Sequence, residues 1–159
     1  MIKGNILIVD DEESVRTVLK EYLANIGYVV VTADSGEDAL QKFIPGKFDS
    51  VISDLMMPKM DGMELLKQIR QKDTNVVFLM ITGYPSIESA IEAIKAGAYD
   101  YVTKPFKFED VKIKLERGLY ARNLEKSLKN VNGLMWGLII SIPIWLILGI
   151  VLGLVWRWI

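Results

Sequence analysis

Neither cysteine nor histidine occurs anywhere in the 159 residues. Without thiols the chain forms no disulfide, offers no thiolate nucleophile and lacks the common zinc ligands. Without imidazole it has no side chain that titrates near neutrality by its own reference pKa, and it cannot carry a phosphohistidine. Its chemistry must therefore come from carboxylates, hydroxyls and amines. A charge excess is missing too: 19 Lys and Arg stand against 20 Asp and Glu, a balance that sets up no strong field for nucleic acid or acidic substrates. All charges except Arg157 precede Asn130, so the first 130 residues carry 18 positive against 20 negative. From that weak acidity nucleic acid is not expected as a partner. The opening MIKGNILIVD is no signal peptide, because its apolar run is short and ends in acid. This part of the chain is expected to stay in the cytosol.

What is present alternates short β-rich runs with segments of helical period, the pattern of βαβ units around a parallel sheet. Strands are expected at Asn5 to Asp10, Tyr28 to Thr32, Phe48 to Asp54, Val76 to Ile81 and Tyr99 to Val102. The first is almost wholly apolar, as a strand covered on both faces should be. Val15, Val18, Leu19, Tyr22, Leu23 and Ile26 follow three-and-four spacing, which predicts a core-facing helix closed by Gly27. Ser35, with Asp38 three residues on, opens a helix through Phe43. Pro58 and Gly62 bracket a turn into a helix with Leu65, Leu66 and Ile69. Ser86 caps one with Ile87, Ala90, Ile91 and Ile94, ended by Gly97, and a last helix begins near Glu109. Five strands and five helices with short links predict a doubly wound α/β sheet in the order 2-1-3-4-5.

In such a sheet ligands gather beyond the carboxyl ends of the strands, near the point where strand order reverses. Asp10 and Asp11 end the first strand, Asp54 the third and Thr82 the fourth, and Lys104 follows the fifth. Each has a structural explanation alone: Asp11 as a helix cap, Asp54 in an Asx-turn, Thr82 and Lys104 in loops, Tyr101 as a strand aromatic. Their placement at one edge is what the separate explanations leave out. Three carboxylates in one cleft repel unless a cation intervenes, and Mg2+ suits an all-oxygen site that must also take phosphate oxygens. With a metal and the Lys104 ammonium beside it, Asp54 has what a carboxylate needs to attack phosphorus, and Thr82 could donate its hydroxyl to the product.

The motifs ILIVDDEE, DLMMPKMDG, MITGY and YVTKPF, in that order, closely resemble the receiver domain of two-component response regulators, most like the receivers of nitrogen-regulation-type activators. The resemblance runs from about Lys3 to Leu119. It implies a flavodoxin-like (βα)5 fold and Mg2+ held by Asp10, Asp11, Asp54 and the backbone carbonyl of Met56. It further implies phosphorylation of Asp54 by a histidine kinase, Lys104 against the phosphoryl group, Thr82 and Tyr101 as a switch pair, and a cis Lys104-Pro105 peptide. The opposing reading is an aspartyl phosphohydrolase of the haloacid dehalogenase kind. Such enzymes use a second Asp two residues past the nucleophile as acid and base, and here that position is Met56, which moves no protons. At most slow self-dephosphorylation is expected.

From Asn130 to Trp156 the chain has no charge, a run longer than the roughly 20 residues that span a bilayer as a helix. Fourteen residues between Leu134 and Trp156 are Leu, Ile or Val, each favourable by about 0.3–0.6 kcal/mol at mid-membrane. A buried core helix would be shorter, and the sheet has already used its five. Trp136 and Trp156 lie about 30 Å apart along a helix, the thickness of the hydrocarbon layer. The expected organisation is a receiver domain over 1–121, a juxtamembrane helical linker over 122–133 and a transmembrane helix over 134–156. Lys114, Arg117, Arg122, Lys126 and Lys129 precede the span and only Arg157 follows, which predicts a single-pass protein of the inner membrane with its receiver facing the cytoplasm. Gly149 and Gly153 make a small-xxx-small pair through which the anchor is expected to form a homodimer. The resulting expectation is a membrane-held, stand-alone phosphorylation switch whose partners are a histidine kinase, the lipid bilayer and a membrane-proximal protein. The alternatives are a phosphate sink for the kinase, or a piece of a larger membrane protein.

Overall fold

The structure, a computed structural model, describes residues 3–128. The expected membrane helix over 134–156, with Gly149 and Gly153, lies outside the described residues, as does the end of the linker. Among the described residues no helix is long and apolar enough to cross a membrane. The chain divides after Arg122, and the fold below is that of the first unit.

Five parallel strands, β1 (Asn5–Val9), β2 (Val29–Ala33), β3 (Ser50–Asp54), β4 (Val77–Thr82) and β5 (Asp100–Thr103), pair in the order β2-β1-β3-β4-β5. Between them run α1 (Glu13–Asn25), α2 (Gly36–Lys42), α3 (Gly62–Lys72) and α4 (Ile87–Lys95), and a fifth helix, α5, covers 108–122 of this unit. This is the flavodoxin-like arrangement, with the expected strand order. Successive strand residues point to opposite faces, and the core accordingly falls into two layers. Leu7, Val9, Val51, Phe78 and Met80 pack with Leu65, Leu66 and Ile69 of α3. Ile6, Ile8, Ile52, Leu79 and Ile81 pack with Leu19 and Leu23 of α1 and with Val111 and Leu115 of α5. Each fully buried aliphatic side chain contributes about 1.5–3 kcal/mol as an upper estimate, so the covered strands dominate the stability.

The strand ends fall where side chains take over from the ladder. Asp10, expected as the last residue of the first strand, leaves it because its Oδ1 accepts the Glu12 N–H at 2.9 Å and turns the chain. Pairing of β2 begins at Val29, whose N–H reaches Gly4 O at 2.9 Å. Ser35 accepts from Asp38 N as expected, but the Asp38 carboxylate in return accepts from the Asp34 N–H rather than from that of Ser35. In α1 Leu19 and Leu23 are buried while Val18 faces solvent, so the core-facing stripe is narrower than expected. The isoleucines of α4 also face outward, with Ile87 75% exposed and Ala93 the buried residue of that helix.

One close approach positions the site. A Cβ on Gly62 would collide with Asp54 O and would lie 2.8 Å from Met80 Sδ and 2.9 Å from Leu55 Cα. Two of these three are backbone atoms at the end of β3, which cannot turn aside as a flexible side chain would. Gly62→Ala should therefore cost about 1–3 kcal/mol in denaturant unfolding, and wild-type stability would contradict this packing.

Candidate functional site

The carboxyl ends of β1 and β3 lie side by side where strand order reverses, and β5 is brought near through β4. Asp10 follows β1, Asp54 ends β3, Thr82 ends β4 and Lys104 follows β5. The Lys104 N–H donates to Thr82 O at 2.6 Å, which fixes the start of the last loop. The Lys104-Pro105 peptide is cis. From that loop Lys104 reaches back: its ammonium donates to Asp10 Oδ2 and Asp54 Oδ2, each at 2.8 Å, and lies 3.7 Å from Glu12 Oε1. The Asp10 and Asp54 side chains are 3% and 7% exposed, so this one cation faces two buried carboxylates. Side chains of this kind are buried only with charged or hydrogen-bonding partners.

The balance is still short of positive charge. Burial pushes the Asp10 carboxyl above its reference value of 3.8; the bonds from Lys104 and from Glu12 N–H offset only part of this, and the neighbouring Asp54 charge works against them. Burial alone would lower the Lys104 ammonium, but its bonds to Asp10 and Asp54 outweigh that and raise it. Asp11, exposed at the mouth, completes an acidic triad in which Asp10, Asp11 and Asp54 each offer an oxygen within 4.8 Å of the others. The donor set fits a hard divalent ion: oxygens only, three carboxylates against one ammonium, and a buried Asp10 whose ionised form is only partly compensated. Met56 stands two residues past Asp54, with its N–H 3.4 Å from Asp54 Oδ1. An open cavity of about 520 Å³ lies against Asp11, Met56, Pro58, Asp61 and Glu64, at the edge of this cluster.

Thr82 is buried at the same edge, and its Oγ accepts the Tyr84 N–H at 3.1 Å, which leaves its proton free to donate. Tyr101 belongs to β5, and its hydroxyl lies 3.0 Å from Ser89 Oγ on α4. Asp10, Asp54 and Lys104 are thus in direct contact; Asp11 and Met56 border them, and Tyr101 is tied instead to α4. Sequence reasoning missed three contributors. Glu12 turns Asp10 through its N–H, Arg16 donates to the carbonyls of Asp10 at 2.6 Å and Asp11 at 3.0 Å, and Ser89 contacts Tyr101. Ser89 had a readable signal, since Ser86 and Ser89 share capping-box spacing. Arg16 had none.

Residues 6–116 match the family described as the response regulator receiver domain. The chain is 39% identical over 146 residues to the transcriptional regulatory protein ZraR of Salmonella typhimurium, covering 90% of this chain and 33% of that protein. It is 35% identical over 143 residues to the regulatory protein AtoC of Escherichia coli, covering 87% of this chain and 31% of that one. It thus spans about a third of the length of these relatives. Among solved structures, a response regulator receiver domain protein of Clostridium thermocellum superposes with a TM-score of 0.72 at 31% identity, over 76% of this chain and 98% of that one. NtrX of Brucella abortus gives 0.75 at 30% identity, over 82% and 30%. ZraR is named as a transcriptional regulator, so the comparisons do not carry the exclusion of nucleic acid expected from charge.

Proposed function

The chain belongs to the response regulator receiver domain family, the phosphoacceptor module of two-component signalling, and from that premise we propose that Asp54 is its phosphoacceptor. The observation that supports this most directly is the ammonium of Lys104 held at 2.8 Å from both Asp10 and Asp54 at the switch point of the sheet. An Asp54 carboxylate oxygen forms the new O–P bond as the P–N bond to the imidazole of a histidine kinase breaks, and the departing nitrogen takes up a proton. Lys104 pairs with the phosphoryl oxygens, and Thr82 donates its free proton to one of them, drawing Tyr101 into the change. Asp10, Asp11, Asp54 and the Met56 carbonyl would hold Mg2+, which supplies positive charge for the phosphoryl oxygens when bound. Met56, 57% exposed, offers no acid or base to a hydrolytic water, which favours a switch over a phosphohydrolase. Incubation with acetyl phosphate and Mg2+ should add one phosphoryl group to wild type, read by intact-protein mass, and none to Asp54→Asn; equal labelling of both would reject the assignment.

The uncharged run over 134–156 supports a second part of the proposal. It anchors the receiver at the cytoplasmic face of the inner membrane, where self-association through Gly149 and Gly153 and contact with a membrane-proximal partner would follow. The chain should stay with the membrane pellet after alkaline carbonate extraction, and release into the supernatant would refute the anchor. A partner captured from membranes by wild type and lost with Asp54→Ala favours the switch, whereas a kinase as sole partner favours the phosphate sink.

A further inference from the structure

We propose that Ser89 is a positioning residue for the switch: its hydroxyl holds Tyr101 against the first turn of α4, so that Tyr101 competes with the cap of that helix. The inference rests on the reading of Tyr101 as a switch residue. Ser89 Oγ lies 3.0 Å from Tyr101 OH, 3.0 Å from Ser86 O, 3.0 Å from Ser86 Oγ and 3.3 Å from Ser86 N. A hydroxyl has one proton and two lone pairs, so four partners contend for three places. Ser86 O can only accept, and it takes the Ala90 N–H at 3.1 Å as well as lying 3.0 Å from Ser89 Oγ. If Ser89 gives its proton to Ser86 O, Tyr101 OH donates to Ser89 in competition with Ser86 Oγ and Ser86 N–H for two lone pairs; if Ser89 gives it to Tyr101, its bond to Ser86 O is lost, so in either case Tyr101 takes a place the first turn of α4 would use. Both bonds of the capping box are made with Tyr101 in place, but the Ser86 N–H bond to Ser89 Oγ is the longer at 3.3 Å, and it would shorten when Tyr101 leaves.

The geometry around this hydroxyl gives the competition a consequence. Thr82 is tied to Tyr84 N and Tyr101 to Ser89, so one switch residue holds the segment that leads into α4 and the other holds its first turn. That helix displays Ile87, Ile91 and Ile94 to solvent. Departure of Tyr101 tightens the first turn beneath this apolar face, which is how a change at Asp54 would be passed to it. Removal of the Ser89 hydroxyl frees Tyr101 from the unphosphorylated arrangement and biases the protein toward the phosphorylated one.

The test uses the full chain in detergent. Ser89→Ala should speed phosphorylation by acetyl phosphate and Mg2+ roughly three- to tenfold, the ratio one hydrogen bond supports, and should shift the Tyr101 ring resonances. Ser89→Thr, which keeps the hydroxyl, should restore both, and Ser89→Ala should add nothing in a Tyr101→Phe background. A role in capping alone predicts that Ser86→Ala and Ser89→Ala change the rate alike whatever stands at 101, a result that overturns the proposal. Independently of phosphorylation, Tyr101→Phe should slow amide hydrogen exchange at Ser86, because the cap no longer shares its Ser89 acceptor with Tyr101; unchanged exchange also overturns it. Wild type that takes up no phosphoryl group would contradict the Asp54 assignment, and the exchange result then decides on Ser89.

Discussion

Replacement of Lys104 by Met is expected to lower the unfolding free energy by about 3–5 kcal/mol at neutral pH without divalent cations, the range found when one partner of a buried ion pair is removed. Met keeps the length and apolar stem of the side chain and deletes the charge, so the loss isolates electrostatics from packing. Two carboxylates at 3% and 7% exposure would remain, with backbone N–H groups as their only strong partners. The deficit should depend on pH with a definite sign. Asp10 already has a folded-state pKa above its reference value of 3.8, through burial first and the Asp54 charge second, and loss of Lys104 raises it further. An acid whose pKa is higher folded than unfolded binds its proton more tightly when folded. Its contribution to stability is therefore greatest below the unfolded value and declines as pH rises through the folded one. The Lys104→Met deficit should thus shrink toward pH 4, as Asp10 takes up a proton in the variant and wild type loses its ion pair. Urea unfolding followed by circular dichroism at pH 7 and near pH 4 measures this, and equal deficits would count against the charge-sharing arrangement.

Asp10→Asn should have the opposite sign in metal-free solution, stabilising the protein at neutral pH. It removes the carboxylate whose ionisation burial disfavours and leaves Lys104 its bond to Asp54 at 2.8 Å. The larger effect appears on adding Mg2+. A ligand that binds only the folded state stabilises it by RT ln(1 + [L]/Kd), about 2.7 kcal/mol at a hundredfold excess over Kd. Wild type should show a rise in Tm with Mg2+, and Asp10→Asn should lose most of it, because one of three carboxylates that can approach a common ion is gone. An equal Mg2+-induced shift in both proteins would place the ion elsewhere.

These predictions draw on residues far apart in sequence, and which of them were legible beforehand follows from physics. Strand order was readable because apolar runs, turn residues and short links leave few unknotted topologies. Asp10, Asp54, Thr82 and Lys104 were readable as one group because each stands at a strand's carboxyl end. That a single ammonium would sit at equal distance from two of the carboxylates was not, since it depends on how the loop after β5 folds back. Period alone left the facing of α4 open: Ile87, Ile91 and Ile94 repeat with helical spacing, and of that helix Ala93 is the buried residue. Apolar spacing specifies a helix, while the side it presents depends on what packs against it. Ser89 escaped notice for a related reason. Its capping role is local and visible in the spacing, whereas its contact with Tyr101 spans a strand connection.

The central claim is that Asp54 carries the phosphoryl group, and locating the modified residue tests it most directly. The full chain would be treated with acetyl phosphate and Mg2+, reduced with borohydride, which converts an acyl phosphate to an alcohol, and mapped by peptide mass spectrometry. Conversion at position 54, dependent on Mg2+ and absent at Asp10 and Asp11, is the predicted result. Conversion at Asp10 or Asp11 with Asp54 intact, or no conversion in folded protein, would contradict it.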